Sequence, residues 1–400
     1  MNRSNGQGAR IGGGGAGTGT GGANLLALRS HNTALVLDLL RTAGAEGISR
    51  LELAERTGLT PQAVSKITAR LRDEGLAAEA GRRASTGGKP RTVLRLVPGA
   101  GHALGVHLDR DELRAVLVDL DGTVVAERCA PLDLGAGAET VLEGVARAAA
   151  ELAAEGLGHL VAEAARVPGA ALAAAPTLLG LGVALPGPLD HVRGVLHRIT
   201  GFPGWDGYPL REALERRLGV PVVVDKDTNA AALGLAVGGA GAGDGTFAYL
   251  HLGTGLGAGL VFGGGVHRGA RTGAGEFGHQ VVQLDGPPCT CGARGCIEAL
   301  CLAAVARGDL AEAARVLGTG AANLAGLLDI DLVLLGGRTV AAAPGAFVHG
   351  VGAVLDARAR REGGHDGAVP VRLAPGGPRA VAEGAAQLLL APLFGRGETG

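Results

Sequence analysis

Cysteine is scarce in this 400-residue chain: there are five, and four of them lie within positions 289–301. So few thiols, so placed, exclude a disulfide framework and fit a reducing cytoplasm. Aromatic residues make up only 2% of the sequence. The first twenty residues are Gly-rich and contain no apolar h-region, so no secretory leader is expected. The stretch 167–189 is uncharged and long enough to span a bilayer. It is interrupted by Pro168, Pro176, Pro186 and Pro188 and by several Gly, which excludes a membrane helix. With 73 Gly and 18 Pro the chain stays below the level of a low-complexity polymer, and it has room for two or three domains.

Charge is unevenly spread although the net value is −1. Residues 1–98 carry 14 Lys and Arg against 7 Asp and Glu, and the remainder carries 23 against 31. A basic head on an acidic body points to a polyanion partner for the head.

Residues 1–23 read as a flexible tail with too little apolar content to repay ordering. A first domain is expected over 24–98. Leu25, Leu28, Leu35, Leu39 and Leu40 recur at near-helical spacing. Ser49 then suits a helix N-cap, Gly58 a turn, and Thr60-Pro61 the N-cap and first position of the next helix. In that helix Val64, Ile67 and Leu71 form the buried stripe, while Gln62, Ser65, Lys66 and Arg70 lie off it. Helix, Gly turn and basic-faced helix make a helix-turn-helix. Two strands, 76–79 and 92–97, follow; their loop carries Arg82, Arg83, Lys89 and Arg91, and no acid occurs from 80 to 108. This is a wing. Gln62, Ser65 and Lys66 are the candidates for reading base edges, and Arg70, Arg82, Arg83, Lys89 and Arg91 for holding phosphates. Pro98-Gly99 marks a hinge into residues 99–400.

The body begins with two hairpin strands, LGVHL and RAVLVDL, around Asp109-Arg110-Asp111. Residues 140–166 read as helical with a break near Gly156. A buried strand follows over 179–190, then a helix over 210–218 and a strand over 220–224 that delivers Asp225, Lys226, Asp227, Thr228 and Asn229 to a helix N-terminus. There Asp227 suits an N-cap. Residues 247–269 read as strand, Gly loop and strand, 303–328 as helical, 331–337 as a strand and 379–390 as a final helix.

The stretch AGEFGHQVVQLDGPPCTCGARGCIE places His279 ten residues before Cys289, with Cys291 and Cys296 beyond. Three thiolates and an imidazole suit tetrahedral Zn2+. Glu276 and Glu298 stand within two or three residues of these ligands. The spacing fits both a structural knuckle with its acids in solvent and a pinned site for a polar small molecule. Cys129 and Cys301 lack ligand spacing and are expected as buried apolar residues.

AGEFGH followed by CTCGARGCIE resembles the signature of the ROK family of bacterial sugar kinases and sugar-responsive repressors. LAERTGLTPQAVSKITARLRDEGL with STGGKPR is similar to the winged heads of its repressors. The resemblance covers nearly the whole chain after the tail. It implies an α/β fold: an N-terminal winged helix-turn-helix plus a two-lobed body of the actin-like ATPase type. It makes His279, Cys289, Cys291 and Cys296 structural zinc ligands, and Glu276, His279, Glu298 and Asp227 sugar contacts, with the Gly187 backbone alongside. In the kinases the residue matching Asp227 is the general base.

Two departures bear on activity. His107 and Asp109-Arg110-Asp111 stand where the kinases carry an Asp and a Gly-Gly-Thr phosphate loop, and two acids there repel a nucleotide. Lys226 replaces a usual Asn. It either selects an anionic ligand such as a sugar phosphate or neutralises the acids and partly blocks the site, and the second is favoured. The expectation is therefore a cytoplasmic bacterial regulator, nucleoid-associated when DNA-bound, without kinase activity. It would repress from operator DNA as a homodimer or homotetramer and respond to a sugar or sugar derivative. The alternatives are a sugar kinase with a fused DNA-binding head and a ligand-blind regulator.

Overall fold

The computed structural model describes residues 31–83, 91–164, 177–199, 201–240, 245–363 and 367–396. The expected tail, Leu25, Leu28 and Lys89 lie outside them.

The head is built from α1 (His31–Thr42), β1 (Ile48–Ser49), α2 (Arg50–Thr57), α3 (Pro61–Asp73), β2 (Ala77–Arg83) and β3 (Arg91–Leu96). The expected start signals operate. The Ser49 hydroxyl accepts from the Glu52 amide at 3.3 Å and the Glu52 carboxylate accepts from the Ser49 amide at 2.8 Å, a reciprocal capping box for α2. Gly58 ends α2 in the left-handed region at φ 69°. Thr60 then caps α3 through the Ala63 amide, with Pro61 at the first position, where its missing N–H costs nothing. Val64, Thr68 and Leu71 are buried, and a three-stranded sheet in the order β1-β3-β2 completes the wing's base.

The first lobe follows with β4 (Gly101–Leu108), β5 (Glu112–Asp119), β6 (Val124–Pro131), α4 (Ala138–Ala164), β7 (Thr177–Leu185), β8 (Leu189–Asp190), β9 (Val195–Leu196), α5 (Leu210–Leu218) and β10 (Val222–Lys226). Its sheet runs β10-β7-β4-β5-β6. The second lobe comprises α6 (Asp227–Val237), β11 (Phe247–Leu252), β12 (Leu256–Phe262), β13 (Gly265–Val266), α7 (Ile297–Ala306), α8 (Leu310–Leu328), β14 (Leu332–Gly336), α9 (Arg338–Ala342), α10 (Pro344–Glu362), β15 (Val371–Leu373) and α11 (Ala380–Leu390). Its sheet runs β13-β12-β11-β14-β15.

Strand alternation divides the core. Leu104, Val106 and Leu108 face Val141, Val145 and Leu152 of α4, on one side of the first sheet. Ala248, Leu250 and Leu252 face α7, α8 and α10, on one side of the second. Phe247 and Tyr249, on the opposite face, pack on Ala230, Ala231, Val381 and Ala385. Helices α6 and α11 thus lie between the two sheets. They fit because their contacts are glycines: a Cβ at Gly384 would lie 2.0 Å from the Ala230 carbonyl, and one at Gly182 of β7 would lie 1.8 Å from that of Ala385.

The structure corrects several expectations. β6 is a third meander strand, and Cys129 on it is exposed, because an edge strand offers solvent one face; Cys301 is buried as expected. α4 runs unbroken through Gly156, where a Cβ would meet Leu117 at 2.4 Å, so this glycine serves close packing. The strand before the binding loop is 222–226, which puts Lys226 at the N-cap and Asp227 at the first helical position.

The Pro98-Gly99 junction is not a free hinge. It forms a short 3-10 turn, and the Leu120 amide donates to the Pro98 carbonyl at 3.1 Å. Beside it Val36, Leu37 and Leu40 of α1 share one core with Leu389, Leu390, Leu393 and Phe394 at the chain's C-terminal end. Asp38 accepts two bonds from Arg396, at 3.0 and 2.8 Å, and Arg41 lies 5.0 Å over the Phe394 ring. Such an ion pair contributes at most about 1 kcal/mol, whereas each buried Leu contributes about 1.5–3 kcal/mol, so apolar burial holds the head.

Substituting Gly384→Val should overpack the α6–α11 contact. A loss of about 1–3 kcal/mol or more is expected, read as a lowered urea midpoint; an unchanged midpoint would contradict the close approach.

Candidate functional site

The end of β10 and the start of α6 organise the cleft between the lobes. Asp225 is buried and fully used: it accepts from the Lys226 amide at 2.8 Å, Asn229 Nδ2 at 2.9 Å and Arg268 Nε at 2.7 Å. It fixes the turn that presents its neighbours. Asp227 accepts from the Thr228 amide at 2.6 Å and lines the cleft cavity.

Lys226 is only 1% exposed. Its Nζ donates to Glu276 Oε1 at 3.1 Å and to the Ala274 carbonyl. Glu298, on the first turn of α7, accepts from the Leu256 amide through Oε2 at 2.8 Å. Asp227, Glu276, His279, Glu298, Lys226 and Gly187 all line one cavity of about 100 Å³. The six small-molecule candidates, from four separate stretches of sequence, are therefore together. Lys226 occupies part of the wall: a Cβ at Gly187 would lie 2.7 Å from its Cδ.

The ligand atoms of His279, Cys289, Cys291 and Cys296 lie within 4.8 Å of one another. Cys291 Sγ is 3.7 Å from Cys296 Sγ, and Cys289 Sγ is 3.7 Å from His279 Nδ1. A tetrahedral ion with Zn–S bonds of about 2.3 Å separates its sulfurs by about 3.8 Å, so this donor set fits zinc. Nδ1 faces the sulfurs, which leaves Nε2 for the cleft.

Across the cleft Asp109 takes bonds from the other lobe: from Thr254 Oγ1 at 2.9 Å and from Arg338 at 3.1 Å. Arg338 also holds Asp111, at 2.6 and 3.0 Å. Burial works against the Asp109 charge. The Arg110 amide, His107, Thr254 and Arg338 outweigh it and hold its carboxyl below the ordinary value. The Asp-Arg-Asp turn is thus clamped to the second lobe by its own side chains.

On the head, Gln62, Ser65 and Lys66 are exposed along one side of α3. Arg70 is half-exposed but tied back, donating to Thr33 Oγ1 at 2.8 Å and pairing with Glu74 at 3.8 Å. Arg82 and Arg91 are exposed at the wing's base. The Arg83 backbone pairs with Arg91 across the hairpin.

Three residues with site geometry had not been singled out. Arg110 and His251 line the small cavity, and Arg338 forms the clamp. For His251 a signal existed: alternation in FAYLHL puts it on one face with Phe247 and Tyr249, and the Tyr249 hydroxyl lies 2.9 Å from its Nδ1. Nothing in the sequence pairs Arg338 with acids 227 positions away.

The ROK family matches residues 103–306, and the winged helix-turn-helix DNA-binding family matches residues 36–77. The chain is 31% identical over 278 residues to the DNA-binding transcriptional dual regulator NagC of Escherichia coli, covering 69% of this chain and 64% of that protein. It is 28% identical over 251 residues to the xylose repressor of Bacillus subtilis, covering 63% and 61%. The chain thus spans less than two thirds of these relatives' length. Among solved structures, a ROK hexokinase from Thermus thermophilus superposes with TM-score 0.54 at 31% identity, covering 71% of this chain and 96% of the other. A ROK family transcriptional regulator, a homologue of the Escherichia coli MLC protein, superposes with TM-score 0.68 at 21% identity, covering 91% and 97%; its likeness extends over the head as well as the body. The match over half of its length, together with this shared architecture, makes the chain a member of the ROK family.

Proposed function

We propose that this chain is a sugar-responsive transcription regulator, a repressor that binds operator DNA through its winged head. What carries the reading is one combination: a helix-turn-helix with Gln62, Ser65 and Lys66 exposed on α3, packed onto a body whose cleft gathers Asp227, Glu276, His279 and Glu298. Carboxylates converging on a small cavity suit the hydroxyls of a sugar, each accepting a charge-assisted hydrogen bond. The names of the relatives make xylose, N-acetylglucosamine and glucose the first sugars to try.

Zinc held by His279, Cys289, Cys291 and Cys296 would keep the imidazole and Glu298 in place, as a tethered loop does for a binding group. Sugar would favour one arrangement of the lobes, and the packed junction of α1 with the C-terminal segment would carry that preference to the head. The operator is read by a homodimer or homotetramer in the bacterial cytoplasm, on the nucleoid, because one winged head contacts too few bases for useful specificity. Gln62, Ser65 and Lys66 address bases, and Arg82, Arg83, Lys89 and Arg91 address phosphates. Arg70 is assigned chiefly to holding α3 against α1.

Phosphoryl transfer is not part of this reading. Asp109 and Asp111 already take the Thr254 and Arg338 donors that an ATP phosphate would need. ATP-dependent phosphorylation of a hexose, lost in Asp227→Asn, would favour the kinase alternative.

Mapping of bound DNA across the genome identifies the operator and, through the neighbouring genes, the sugar. With that fragment, sugar should release the wild-type protein. Glu298→Gln should bind DNA normally yet need at least tenfold more sugar, since a hydrogen bond to a charged group contributes about 1.5–3 kcal/mol. Equal release of both proteins would refute the site.

Lys226→Asn frees Glu276 and should tighten sugar binding in calorimetry; weaker binding would mean that Lys226 itself holds an anionic ligand. Lys66→Ala should weaken operator binding and relax its base preference without changing sugar affinity. Metal analysis of reduced protein should find one zinc per chain, lost in Cys296→Ser; zinc-free wild-type protein with reduced thiols would remove the metal from the account.

A further inference from the structure

The loop 268–276 belongs by sequence to the second lobe, between β13 and α7, yet side chains of the first lobe hold it along its length. Arg268 Nε donates to Asp225 at 2.7 Å, the Thr272 hydroxyl meets His191, and Lys226 takes the Ala274 carbonyl and Glu276. The second lobe holds the loop's backbone at its two ends, where the His267 amide donates to the Leu260 carbonyl and the Ala258 amide to that of Gly275. Asp225 and Lys226 end β10, whereas the Asp109 clamp follows β4, and β7 lies between those two strands. The lobes are therefore joined at two separate places.

The middle of this loop carries an unusual backbone angle. Two non-glycine residues among those described have positive φ. Asp329, at 52°, is the C-cap of α8, an ordinary place for that conformation. Thr272, at 53°, lies in no helix, is 3% exposed and is β-branched, the kind of side chain that seldom adopts it. Glycine would take the angle more readily.

What threonine adds is a hydroxyl. The His191 amide donates to Oγ1 at 3.4 Å, and His191 Nδ1 lies 2.8 Å from the same oxygen. With the amide donating, the hydroxyl hydrogen is free for Nδ1, which accepts it. Burial holds the imidazole below its ordinary pKa, against the pull of Asp225 and Asp190, and so favours the neutral ring that this bond requires. His191 is fixed in turn: Arg211 of α5 donates to its carbonyl at 2.7 Å and to that of Val192 at 2.8 Å. An unfavourable angle persists where the surrounding contacts over-determine it, and such places gather at ligand clamps and switches. Just beyond Thr272 the loop delivers Glu276 to the small cavity.

We propose that His191 is a positioning residue for the cleft: by holding Thr272 it fixes the loop against the first lobe and so sets the Glu276 carboxylate in the cavity. It acts through Thr272 and does not itself line that cavity. The inference rests on the sugar reading for the nature of the ligand; the hold on the loop is independent of it.

Two measurements on the full-length protein test this, with thermal unfolding to establish that each variant folds. His191→Leu and Thr272→Val both remove the bond, the second while keeping the branched shape. His191→Asn returns an acceptor oxygen close to the place of Nδ1. In hydrogen exchange without ligand, the amides of 272–276 should exchange about tenfold faster or more in the first two variants, and near the wild-type rate in His191→Asn. In calorimetry with xylose, N-acetylglucosamine and glucose, a sugar that binds the wild type should bind the first two about fivefold more weakly and recover in His191→Asn. Unchanged exchange in both folded variants would overturn the latch, and faster exchange with unchanged sugar affinity would overturn the positioning role. If the wild type binds none of the three sugars, it is the sugar reading that falls; exchange then decides alone, faster loop amides upholding the hold on Glu276 and unchanged ones overturning it.

Discussion

The structure depends on two helices lying against each other between two sheets. α6 and α11 meet at Gly234 and Gly384, where a Cβ on Gly234 would come within 2.9 Å of the Gly384 Cα. This contact does more than fill the interior. The N-terminus of α6 carries Asp227 into the cleft, while the C-terminus of α11 runs into Leu393 and Phe394 under the head. One helix pair therefore touches both ends of the molecule. Its packing leaves little slack, because close-packed interiors shift between discrete arrangements more readily than they deform. A ligand that changes how the lobes sit against α6 changes the surface that α11 offers to α1.

Most of the head was legible because short-range signals decide it. Ser49, Gly58, Thr60 and Pro61 each act within one helical turn, and each acts as its type requires; the Glu52 half of the capping box was seen only in the structure. The metal set was legible for the same reason, since its ligands fall within 18 consecutive residues, 279–296. The expected hinge failed because what anchors the head comes from more than 350 residues away: Arg396 grips Asp38, a pairing no local pattern contains. Gly156 misled in the opposite direction. Glycine inside an Ala-rich stretch reads as a breaker, but here the missing Cβ admits Leu117 from the neighbouring strand and the helix continues. Cys129 was misplaced because β6 was not foreseen, and edge strands leave one face to solvent.

The residues of the cleft illustrate an intermediate case. Their types were readable, but their relation was not. Lys226 and Glu276 are fifty positions apart, and only the fold shows that Lys226 is buried with its ammonium bound to that carboxylate. This answers physically why a bulky cation is tolerated at the tip of a buried strand. Four carboxylates, Asp109, Asp227, Glu276 and Glu298, converge on the small cavity, against Lys226 and Arg110. Without a cation their mutual repulsion would raise the cost of keeping them ionised together.

The same balance of charge bears on what the cleft can receive. A phosphoryl-transfer site must leave donors free to meet a triphosphate and must let the backbone approach it closely. Here the turn after β4 carries side chains in place of glycines, and those side chains turn inward. Asp109 takes Thr254 and Arg338, and Asp111 takes Arg338 again, so carboxylates of the chain tie the two lobes together across the cleft. Cross-cleft attraction is thereby available without a nucleotide. Attraction of this kind leaves closure open to small shifts in the balance of charge. A clamp of exposed and half-exposed ion pairs suits that role, because each contributes only about 1 kcal/mol or less and a modest ligand can tip the balance.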